Sequence, residues 1–340
     1  MNIKARVFAI LLMISMLLVT ACNDNQANGD ANGSGDNNDV YKLKIATALT
    51  ESDPIYQGLV ALKESVEEKT NGEVVFEIFG GGSLGEDSDI IEQAKVGANV
   101  AVLTDAGRLA EMVHEIGILS APYLVDSYEE ANTVVQSELF KGWEQKLADE
   151  HNLQVLSFNW YQGDRHLLTN KKIEKPEDLK GIQMRTAGSP ISLETVSAMG
   201  ASPVGLAWAE VYPGLQQGVI DAAEAHHSAT FGANLQEVIG YITKTSHFQL
   251  LTGLVTSAGW MESLPEEYQD IIYEESIKAA EVASNNIVKM SADFEQKLID
   301  AGVEVNEVDI EPFKKATEGV YDKFDGYQDL RKEINKILGK

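Results

Sequence analysis

Two arginines in this sequence stand in surroundings that suit the capture of a carboxylate. Arg185 ends an apolar segment, residues 182–185, and Ser189 and Pro190 then mark a helix start. In open α/β sheets, ligands bind beyond the carboxyl ends of strands, where a helix amino terminus adds positive potential. A planar guanidinium can hold a carboxylate through two parallel hydrogen bonds. Arg165 lies in a polar and aromatic segment, but spacing alone leaves open that both arginines are ordinary surface residues.

The adjacent His226 and His227, which follow Glu224, could suggest a metal site. Neighbouring side chains at the end of a strand point to opposite sides, so the two imidazoles are poorly placed to share one ion. The sequence has no His-Glu-x-x-His motif and only one cysteine. We therefore expect neither a metal nor another cofactor. One of the two histidines can still face a cleft, although a hydrogen-bonded loop histidine is the commoner case.

Residues 81–85 match the G-x-S-x-G nucleophile elbow around Ser83, between a strand pattern and a helix pattern. A serine hydrolase also needs an acid and a histidine within reach, and backbone donors for the oxyanion from an earlier loop. No HGGG-like segment precedes Gly80, and the glycines lack the Gly-Lys-Ser/Thr ending of a phosphate-binding loop. Hydrolysis by Ser83 therefore stays a minor alternative.

Short apolar segments alternate with helical patterns along the chain, and this rhythm predicts an α/β fold. The strand segments are residues 42–46, 74–79, 100–103, 154–159, 182–185 and 219–223. Helical spacing is found over residues 55–66, over residues 88–96 and after Pro190. Roughly 300 residues belong to this pattern, a length that suits two packed lobes.

From Ser263 the pattern turns helical and continues to Asp300, where Gly302 offers a stop signal. The segment 263–266, Ser-Leu-Pro-Glu, matches a capping box. A soluble helix of that length needs support along its course, so we expect it to cross both lobes as a brace. The alternative is two helices with a break at residues 284–286.

The N terminus predicts export. Lys4 and Arg6 precede an apolar run, residues 7–19, that is too short to span a bilayer. Small residues before Cys22, the only cysteine, resemble a bacterial lipobox. We therefore expect a signal peptide over residues 1–21, and acylation of Cys22 to anchor the protein in the cell membrane, outside the cytoplasm. The alternative is a free cysteine near an ordinary cleavage site.

The composition after Cys22 argues for a spacer and against some partners. Residues 22–40 are rich in Asn, Asp and Gly and predict a disordered tether. The formal net charge is −26, from 53 acidic and 27 basic residues. Nucleic acid is not an expected partner, because binding a polyanion needs a concentrated basic surface. An anionic small molecule is compatible with this charge, since local arginines can dominate inside a cleft when salt screens over about 8 Å.

Several separated motifs, in one order and register, resemble the solute-binding proteins of TRAP transporters, the tripartite ATP-independent carriers. The motifs are residues 79–85, 121–123, 163–165, 178–185, 199–203, 209–212 and 215–221. The resemblance covers roughly residues 41–330. It implies an α/β, two-lobed, periplasmic-binding-protein-like fold with a hinge and a long helix spanning the lobes. The first lobe would comprise residues 41–162 and 251–290, and the second residues 163–250 and 291–340.

The resemblance also implies roles for individual residues. Arg185 matches the arginine that pairs with the ligand carboxylate, and Arg165 matches a second arginine in the same cleft. Trp208 stands where the family commonly has an aromatic residue lining the pocket. The remaining expected ligand contacts are Asp87, Asp105, Arg108, Glu224 and His226.

Departures from the family pattern bear on the ligand. Residues 221–225 read Asp-Ala-Ala-Glu-Ala, where members often have Asp-Gly-Gln-Glu-Asn, so an asparagine that often touches the ligand is absent. Ala48 likewise replaces a polar residue found in some members. These changes disfavour sialic acid, and His226 could supply the missing polar contact. We favour a hydroxylated acid over a C4-dicarboxylate, because Asp87 and Asp105 would repel a second carboxylate and accept hydrogen bonds from hydroxyls.

The sequence thus predicts a non-enzymatic protein that captures a small organic acid with an arginine clamp. The candidate ligands are sugar acids such as uronates, C4-dicarboxylates, and 2-oxo or 2-hydroxy acids. The resemblance implies delivery of the ligand to the membrane subunits of a TRAP transporter. A sensor that presents its ligand to a membrane kinase would use the same pocket and anchor, and it stays open as an alternative.

Overall fold

Eleven strands form two separate β-sheets in the computed structural model, which describes residues 40–340. In chain order the strands are β1 (Tyr41–Ala46), β2 (Val74–Phe79), β3 (Val100–Asp105), β4 (Leu153–Asp164), β5 (His166–Thr169), β6 (Gln183–Thr186), β7 (Ser202–Gly205), β8 (Ala222–Ala225), β9 (Tyr241–Lys244), β10 (Gln249–Ser257) and β11 (Glu304–Glu307). The predicted signal peptide, Cys22 and residues 22–39 of the predicted tether lie outside the described residues.

The α-helices cover the faces of these sheets. In chain order they are α1 (Pro54–Lys69), α2 (Asp87–Lys95), α3 (Ala106–Leu109), α4 (Tyr128–Val135), α5 (Glu138–His151), α6 (Pro190–Ala198), α7 (Val211–Gln217), α8 (His227–Gly232), α9 (Ala258–Glu262), α10 (Glu266–Asp300), α11 (Glu311–Thr317) and α12 (Tyr327–Ile337). Within residues 40–340, no helix combines the length and the apolar character needed to cross a membrane.

The first sheet has the strand order β2-β1-β3-β10-β4 and forms the first lobe with its helices. Strands β1, β2 and β3 run parallel, whereas β10 is antiparallel to both of its neighbours. Helix α1 links two parallel strands and buries the apolar residues whose spacing predicted it, Ile55, Leu59, Leu62 and Val66. The carboxyl ends of β1 and β3 therefore open toward one edge of this sheet.

The second sheet has the order β11-β9-β5-β8-β6-β7 and forms the second lobe. Strands β6 and β8 are parallel neighbours, with Arg185 paired to Ala223, while β5 runs antiparallel to β8. Strand β8 begins three residues later than the predicted segment 219–223. The reason is local: Gly218 ends α7 in a left-handed conformation with a φ of 70°, and Val219 stays exposed in the turn.

Helix α10 is a single continuous helix of 35 residues, as the pattern predicted, so the alternative of two helices broken at 284–286 is wrong. Its middle is fixed to β4 by Ser284, whose hydroxyl donates to the backbone oxygen of Asn159 and accepts from the backbone N–H of Tyr161, both at 2.8 Å. Ile287 packs in the core of the first lobe and Leu298 in that of the second. The helix therefore braces both lobes.

Two of the predicted helix caps differ in detail. The helix starts after Pro265, and the hydroxyl of Ser263 donates to the backbone oxygen of Trp260 at 2.6 Å, so the predicted capping box is wrong. Ser263 instead closes the preceding helix, because α9 ends at Glu262. Helix α6 does follow Ser189, but the Ser189 hydroxyl lies 2.8 Å from the hydroxyl of Ser192 and bonds no helical N–H group.

The strands divide between the two sheets in the way that the implied lobes require, but the lobe boundaries themselves stay a prediction. The C-terminal end of the chain does not follow these predicted boundaries. Tyr327 and Ile334 of α12 belong to the core of the first lobe, and the Tyr327 hydroxyl donates to the backbone oxygen of His114 at 2.8 Å. The last residues of the chain, which were expected in the second lobe, therefore pack on the first.

Candidate functional site

The principal pocket lies between the two lobes, where the strand ends of both sheets face each other. Seven of the eight expected ligand residues line it, namely Asp87, Asp105 and Arg108 from the first lobe and Arg165, Arg185, Trp208 and His226 from the second. Glu224 is not part of its wall. These seven residues come from six separate segments of the chain, and the fold brings them to one cleft.

Arg185 is a buried cation that lacks a carboxylate partner within residues 40–340. Its side chain is 3% exposed near the end of β6. The Nε–H group donates to the backbone oxygen of Leu206 at 2.9 Å, and the guanidinium lies over the Trp208 ring, 5.2 Å from its centroid. Burial lowers the pKa of Arg185 to about 10, although Glu224 opposes this. The carbonyl and the ring therefore fix the orientation of a guanidinium group that is buried away from water.

Arg165 differs, because its charge is already compensated by Glu224. Its Nε–H group donates to the Glu224 carboxylate, and a terminal NH2 group donates to the backbone oxygen of Glu224 at 2.6 Å. Thr186 donates its hydroxyl to the other carboxylate oxygen at 2.8 Å, and His247 lies 3.7 Å from Glu224. Burial alone would raise the pKa of Glu224, but Arg165 and His247 lower it below its usual range. Glu224 therefore positions Arg165 from behind the wall.

The opposite wall of the pocket is acidic. Arg108 donates to Asp105 at 2.8 Å, and its nitrogens lie 3.9 Å from Asp87 and 3.8 Å from Glu86. Burial raises the pKa of Asp87 to about 6, against the lowering effect of Arg108. Three carboxylates around one guanidinium leave an excess of acceptors at this end, whereas Arg185 offers an excess of donors at the other.

His226 borders the principal pocket and His227 does not, although both border a smaller cavity beside α10. His226 borders the principal pocket and is 3% exposed, with no hydrogen-bond partner for either ring nitrogen among the described residues. His227 points away, with its Nδ1 atom 3.9 Å from Glu295. Burial, together with the charge of Arg165, holds the pKa of His226 well below its usual value. Residues 40–340 contain no cluster of His, Cys, Asp and Glu suited to a metal ion.

Comparison with known proteins places this architecture in a family. Residues 45–326 match the bacterial extracellular solute-binding proteins of family 7, DctP. The chain belongs to this family. The resemblance to TRAP solute-binding proteins that the motifs indicated is thereby confirmed, and so is the two-lobed α/β fold class.

Three solved TRAP periplasmic solute-binding proteins illustrate the similarity. One from Escherichia fergusonii, in an open apo form, is 38% identical, with 87% of this chain and 99% of that one covered and a TM-score of 0.77. One from Actinobacillus succinogenes with bound L-galactonate is 30% identical, with the same coverage and a TM-score of 0.83. One from Fusobacterium nucleatum with bound sn-glycerol-3-phosphate is 30% identical, covers 88% and 99%, and has a TM-score of 0.85.

The two lobes of this family member contact each other across the cleft. The Ser228 hydroxyl of the second lobe donates to the Asp53 carboxylate of the first at 2.9 Å. The pocket is therefore described in a closed form.

Several residues that line the pocket of this DctP-family chain were not predicted from the sequence. Gln162 and Thr252 lie on the neighbouring strands β4 and β10 and are joined by a 3.1 Å hydrogen bond between their side chains. The Arg165 guanidinium carbon lies over the Phe248 ring, 5.4 Å from its centroid. Gln162 and Thr252 carried a usable signal, since each is a polar residue inside an apolar strand. Phe248 carried none, because an isolated aromatic residue is ordinary in a core.

The elbow-like segment around Ser83 forms an exposed turn between β2 and α2. Gly81 and Gly82 adopt positive φ values of 63° and 71° there, and the Ser83 N–H group donates to the backbone oxygen of Gly80 at 3.2 Å. No histidine or carboxylate among residues 40–340 hydrogen-bonds the Ser83 hydroxyl. The turn thus lacks the base that nucleophilic activation requires.

Proposed function

We propose that this protein captures a small hydroxylated monocarboxylic acid, of the sugar-acid class, and delivers it to the membrane subunits of a TRAP transporter. Arg185 holds the carboxylate, and the acidic wall around Arg108 accepts hydrogen bonds from hydroxyl groups. No catalytic step is required, because transport depends on the closed lobes holding the ligand better than the open ones.

The observation that carries this proposal is the isolated charge of Arg185. A buried cation is normally paired, since taking a charge out of water costs several kcal/mol even after the protein relaxes. Within residues 40–340, the Arg185 guanidinium donates one hydrogen bond, to a backbone carbonyl, and lies over an aromatic ring, but it makes no ion pair with a carboxylate. An anionic ligand would complete its hydrogen bonding, and a carboxylate matches the planar fork in shape.

The charge balance of the opposite wall supports a single carboxylate on the ligand. Glu86, Asp87 and Asp105 together outnumber the one guanidinium of Arg108. A second carboxylate there would meet like charges at short range, whereas hydroxyl groups would donate to acidic oxygens. This favours sugar acids over C4-dicarboxylates, and the L-galactonate held by one relative is an acid of that kind.

A ligand screen tests the proposal. Thermal shift of the purified protein against L-galactonate, D-glucuronate, succinate and malate should give stabilisation by at least one sugar acid and less by the dicarboxylates. A ligand at 100 times its dissociation constant adds about 2.7 kcal/mol to native stability. Calorimetric titration of the hits then gives the affinities. If succinate binds more tightly than every sugar acid, the assigned ligand class is wrong. If none of the tested carboxylates binds, the proposed function is wrong.

A further inference from the structure

Gln162 is the extra residue of a β-bulge in β4, and it lies in the wall of the principal pocket. Two consecutive residues of β10, Leu250 and Leu251, pair with Gly163 and Tyr161 of β4, which leaves Gln162 without a partner on β10. Gly163 has a φ of 114°, in the region that favours glycine. Bulges of this kind re-aim a side chain and are common beside binding and active sites. Gln162 is therefore a residue that β4 presents to the cleft.

A chain of hydrogen bonds fixes the orientation of the Gln162 amide. Its Nε2 atom lies 3.1 Å from the Thr252 hydroxyl oxygen, which in turn lies 3.0 Å from the backbone oxygen of Trp160. A backbone oxygen can only accept, so the single hydroxyl proton of Thr252 is donated to Trp160. Thr252 can then only accept from Gln162, and the amide must turn an N–H group toward it. The Oε1 atom of Gln162 is thereby directed away from Thr252.

The same chain holds the amide at the acidic wall of the principal pocket. Gln162 borders both the principal pocket and the smaller cavity beside α10, whereas Thr252 borders only the principal pocket. The register of β10 with β3 pairs Thr252 with Asp105. Side chains paired in this way lie on one face of the sheet, with their Cβ atoms about 5 Å apart. The amide that bonds Thr252 therefore lies near Asp105, in the wall that the proposed function assigns to hydroxyl groups.

The Oε1 atom of Gln162 is an acceptor that the fold itself does not use. Within residues 40–340, no group donates a hydrogen bond to it. It is also not one of the unpartnered side-chain atoms that are completely buried, so a small molecule has access to it. An amide oxygen accepts from a hydroxyl group and finds no donor on a CH2 group. Because the amide is neutral, it adds an acceptor to the acidic wall without adding charge.

We propose that Gln162 is a specificity-determining residue whose Oε1 atom accepts a hydrogen bond from one hydroxyl group of the bound acid. Thr252 is a positioning residue for this contact, since its hydroxyl decides which end of the amide faces the ligand. The inference rests on the proposed function, because it takes the ligand to be a hydroxylated acid. It adds a neutral contact of fixed direction to a wall whose other acceptors are carboxylates.

The test uses L-galactonate or D-glucuronate, whichever the parent binds more tightly, and the analogues of that acid that each lack one hydroxyl group. Calorimetric titration with this set would be made on the parent and on Gln162→Met. In the parent, at least one analogue should bind about tenfold more weakly than the full acid, because it leaves the amide oxygen without a donor. Gln162→Met, of similar size, should reduce the ratio for that analogue to below about threefold and leave the other ratios unchanged.

Two substitutions of Thr252 test the positioning role. Thr252→Val removes the hydroxyl that orients the amide, so it should reduce the same ratio, whereas Thr252→Ser keeps a hydroxyl group and should retain the ratio. Gln154→Met is the matched control, because Gln154 lies on the same strand outside the principal pocket. All of its ratios should equal those of the parent.

Equal weakening of every ligand by Gln162→Met would overturn the inference and assign Gln162 to packing, and so would parental ratios in that variant. Where Gln162→Met fails to fold by circular dichroism, the two Thr252 variants decide, and equal ratios in both count against the proposal. If the parent binds the full acid and all of its analogues equally well, the inference fails while the proposed function stands. If neither sugar acid binds, the assigned ligand class fails as well.

Discussion

The three arginines of the pocket illustrate how residues of one type take different roles through their charge surroundings. Arg108 is surrounded by Glu86, Asp87 and Asp105, and Arg165 is held by Glu224. Arg185 alone among them has no carboxylate partner within the described residues. The sequence predicted that Arg185 pairs with the ligand carboxylate and that Arg165 is a second arginine in the same cleft. In the structure, Arg185 is a cation without a carboxylate partner among the described residues, and the charge of Arg165 is compensated by Glu224.

This difference predicts unequal effects of substitution at the residue scale. Arg185→Ala should weaken binding of the acid by at least tenfold, because it leaves a carboxylate desolvated in a closed cleft at a cost of roughly 2 to 5 kcal/mol. Arg185→Lys keeps the charge but loses the planar fork, so it should recover only part of the loss. Calorimetric titration, with circular dichroism to confirm folding, measures both.

Arg331→Ala offers a matched control, because Arg331 stacks on the Tyr321 ring at 4.3 Å in a region away from the pocket. Its affinity for the acid should equal that of the parent. Binding by Arg185→Ala within a factor of about three of the parent, with binding abolished in Arg165→Ala, would mean that the carboxylate is held by Arg165 instead.

At the scale of elements, the start of α1 is tied to the second lobe through one carboxylate. Asp53 accepts from the backbone N–H of Ile55 at 2.8 Å as the helix cap, and from the Ser228 hydroxyl at 2.9 Å. It is 2% exposed, and burial raises its pKa to about 6 against the lowering effect of these two hydrogen bonds. Above that pH the Asp53 carboxylate is therefore charged while buried, which lowers the free energy of unfolding.

Asp53→Asn should consequently stabilise the protein at neutral pH. The pKa of Asp53 is raised from 3.8 in the reference state to about 6 in the fold, so the free energy of unfolding falls as pH rises through this window. Asparagine keeps an oxygen that accepts from the backbone N–H of Ile55, and its NH2 group can donate to the Ser228 hydroxyl, without the charge. The variant should gain roughly 1 to 3 kcal/mol at pH 7 and lose that advantage near pH 4.

Urea unfolding of the parent and of Asp53→Asn at the two pH values measures this gain. Asp329→Asn, on the exposed side of α12, is the control: Lys332 lowers the pKa of Asp329, so this substitution should bring no gain in stability at pH 7. A variant less stable than the parent at pH 7 would indicate that the carboxylate is worth more to the helix cap than its burial costs.

At the scale of the whole molecule, closure brings α3 of the first lobe against the start of α6 in the second. A Cβ atom at Gly107 would lie 2.5 Å from the Ser189 Oγ and 2.8 Å from the Ser189 Cβ. Contacts below 3.0 Å are not tolerated, and a Cβ atom cannot move aside without its backbone. The absence of a side chain at Gly107 is thus a condition for the closed form.

Gly107→Ala should weaken ligand binding, chiefly through overpacking against Ser189, although the added Cβ atom would also lie 2.9 Å from the Oδ1 atom of Asp105 in the pocket wall. Overpacking of this kind costs about 1–3 kcal/mol, and here it penalises the closed form that holds the ligand. Small-angle scattering at saturating ligand should show a less compact protein than the parent, alongside the weaker affinity from calorimetry. Gly142→Ala is the control, because nothing lies within 4 Å of a Cβ there. Parental affinity in Gly107→Ala would mean that closure does not need this contact.

The predicted lipid anchor acts on the molecule as a whole. Cys22→Ala should release the protein from membranes, because no acyl chain would remain to hold it. Ligand affinity should stay at the parental value, since the pocket is built from residues 47–252. Fractionation of cells that express each form measures the first effect and calorimetry the second. A variant that still pellets with membranes and resists salt washing would contradict the anchor.

The sequence by itself determined the class of the protein, because its main signals are local. The apolar spacing of residues 55–66 predicted α1, and the uninterrupted helical pattern predicted α10. In both, the helical period of the apolar residues is enough to show which side chains are buried. Arg185 was found from its place at a strand end and from the family motif around it. The motifs fell in one register and so indicated the family without any contact being known.

Only the tertiary structure decided how the charges in the pocket are paired. The bond between Arg165 and Glu224 joins residues 59 positions apart, and Ser228 reaches Asp53 across 175 positions. No spacing rule predicts such pairs, because they depend on the register of β5 with β8 and on how the two lobes meet. The packing of α12 on the first lobe escaped prediction for the same reason, since it depends on residues that are distant in sequence, such as His114. The start of β8 and the cap of α10 were missed for a local reason, because the turns at Gly218 and Ser263 decide them.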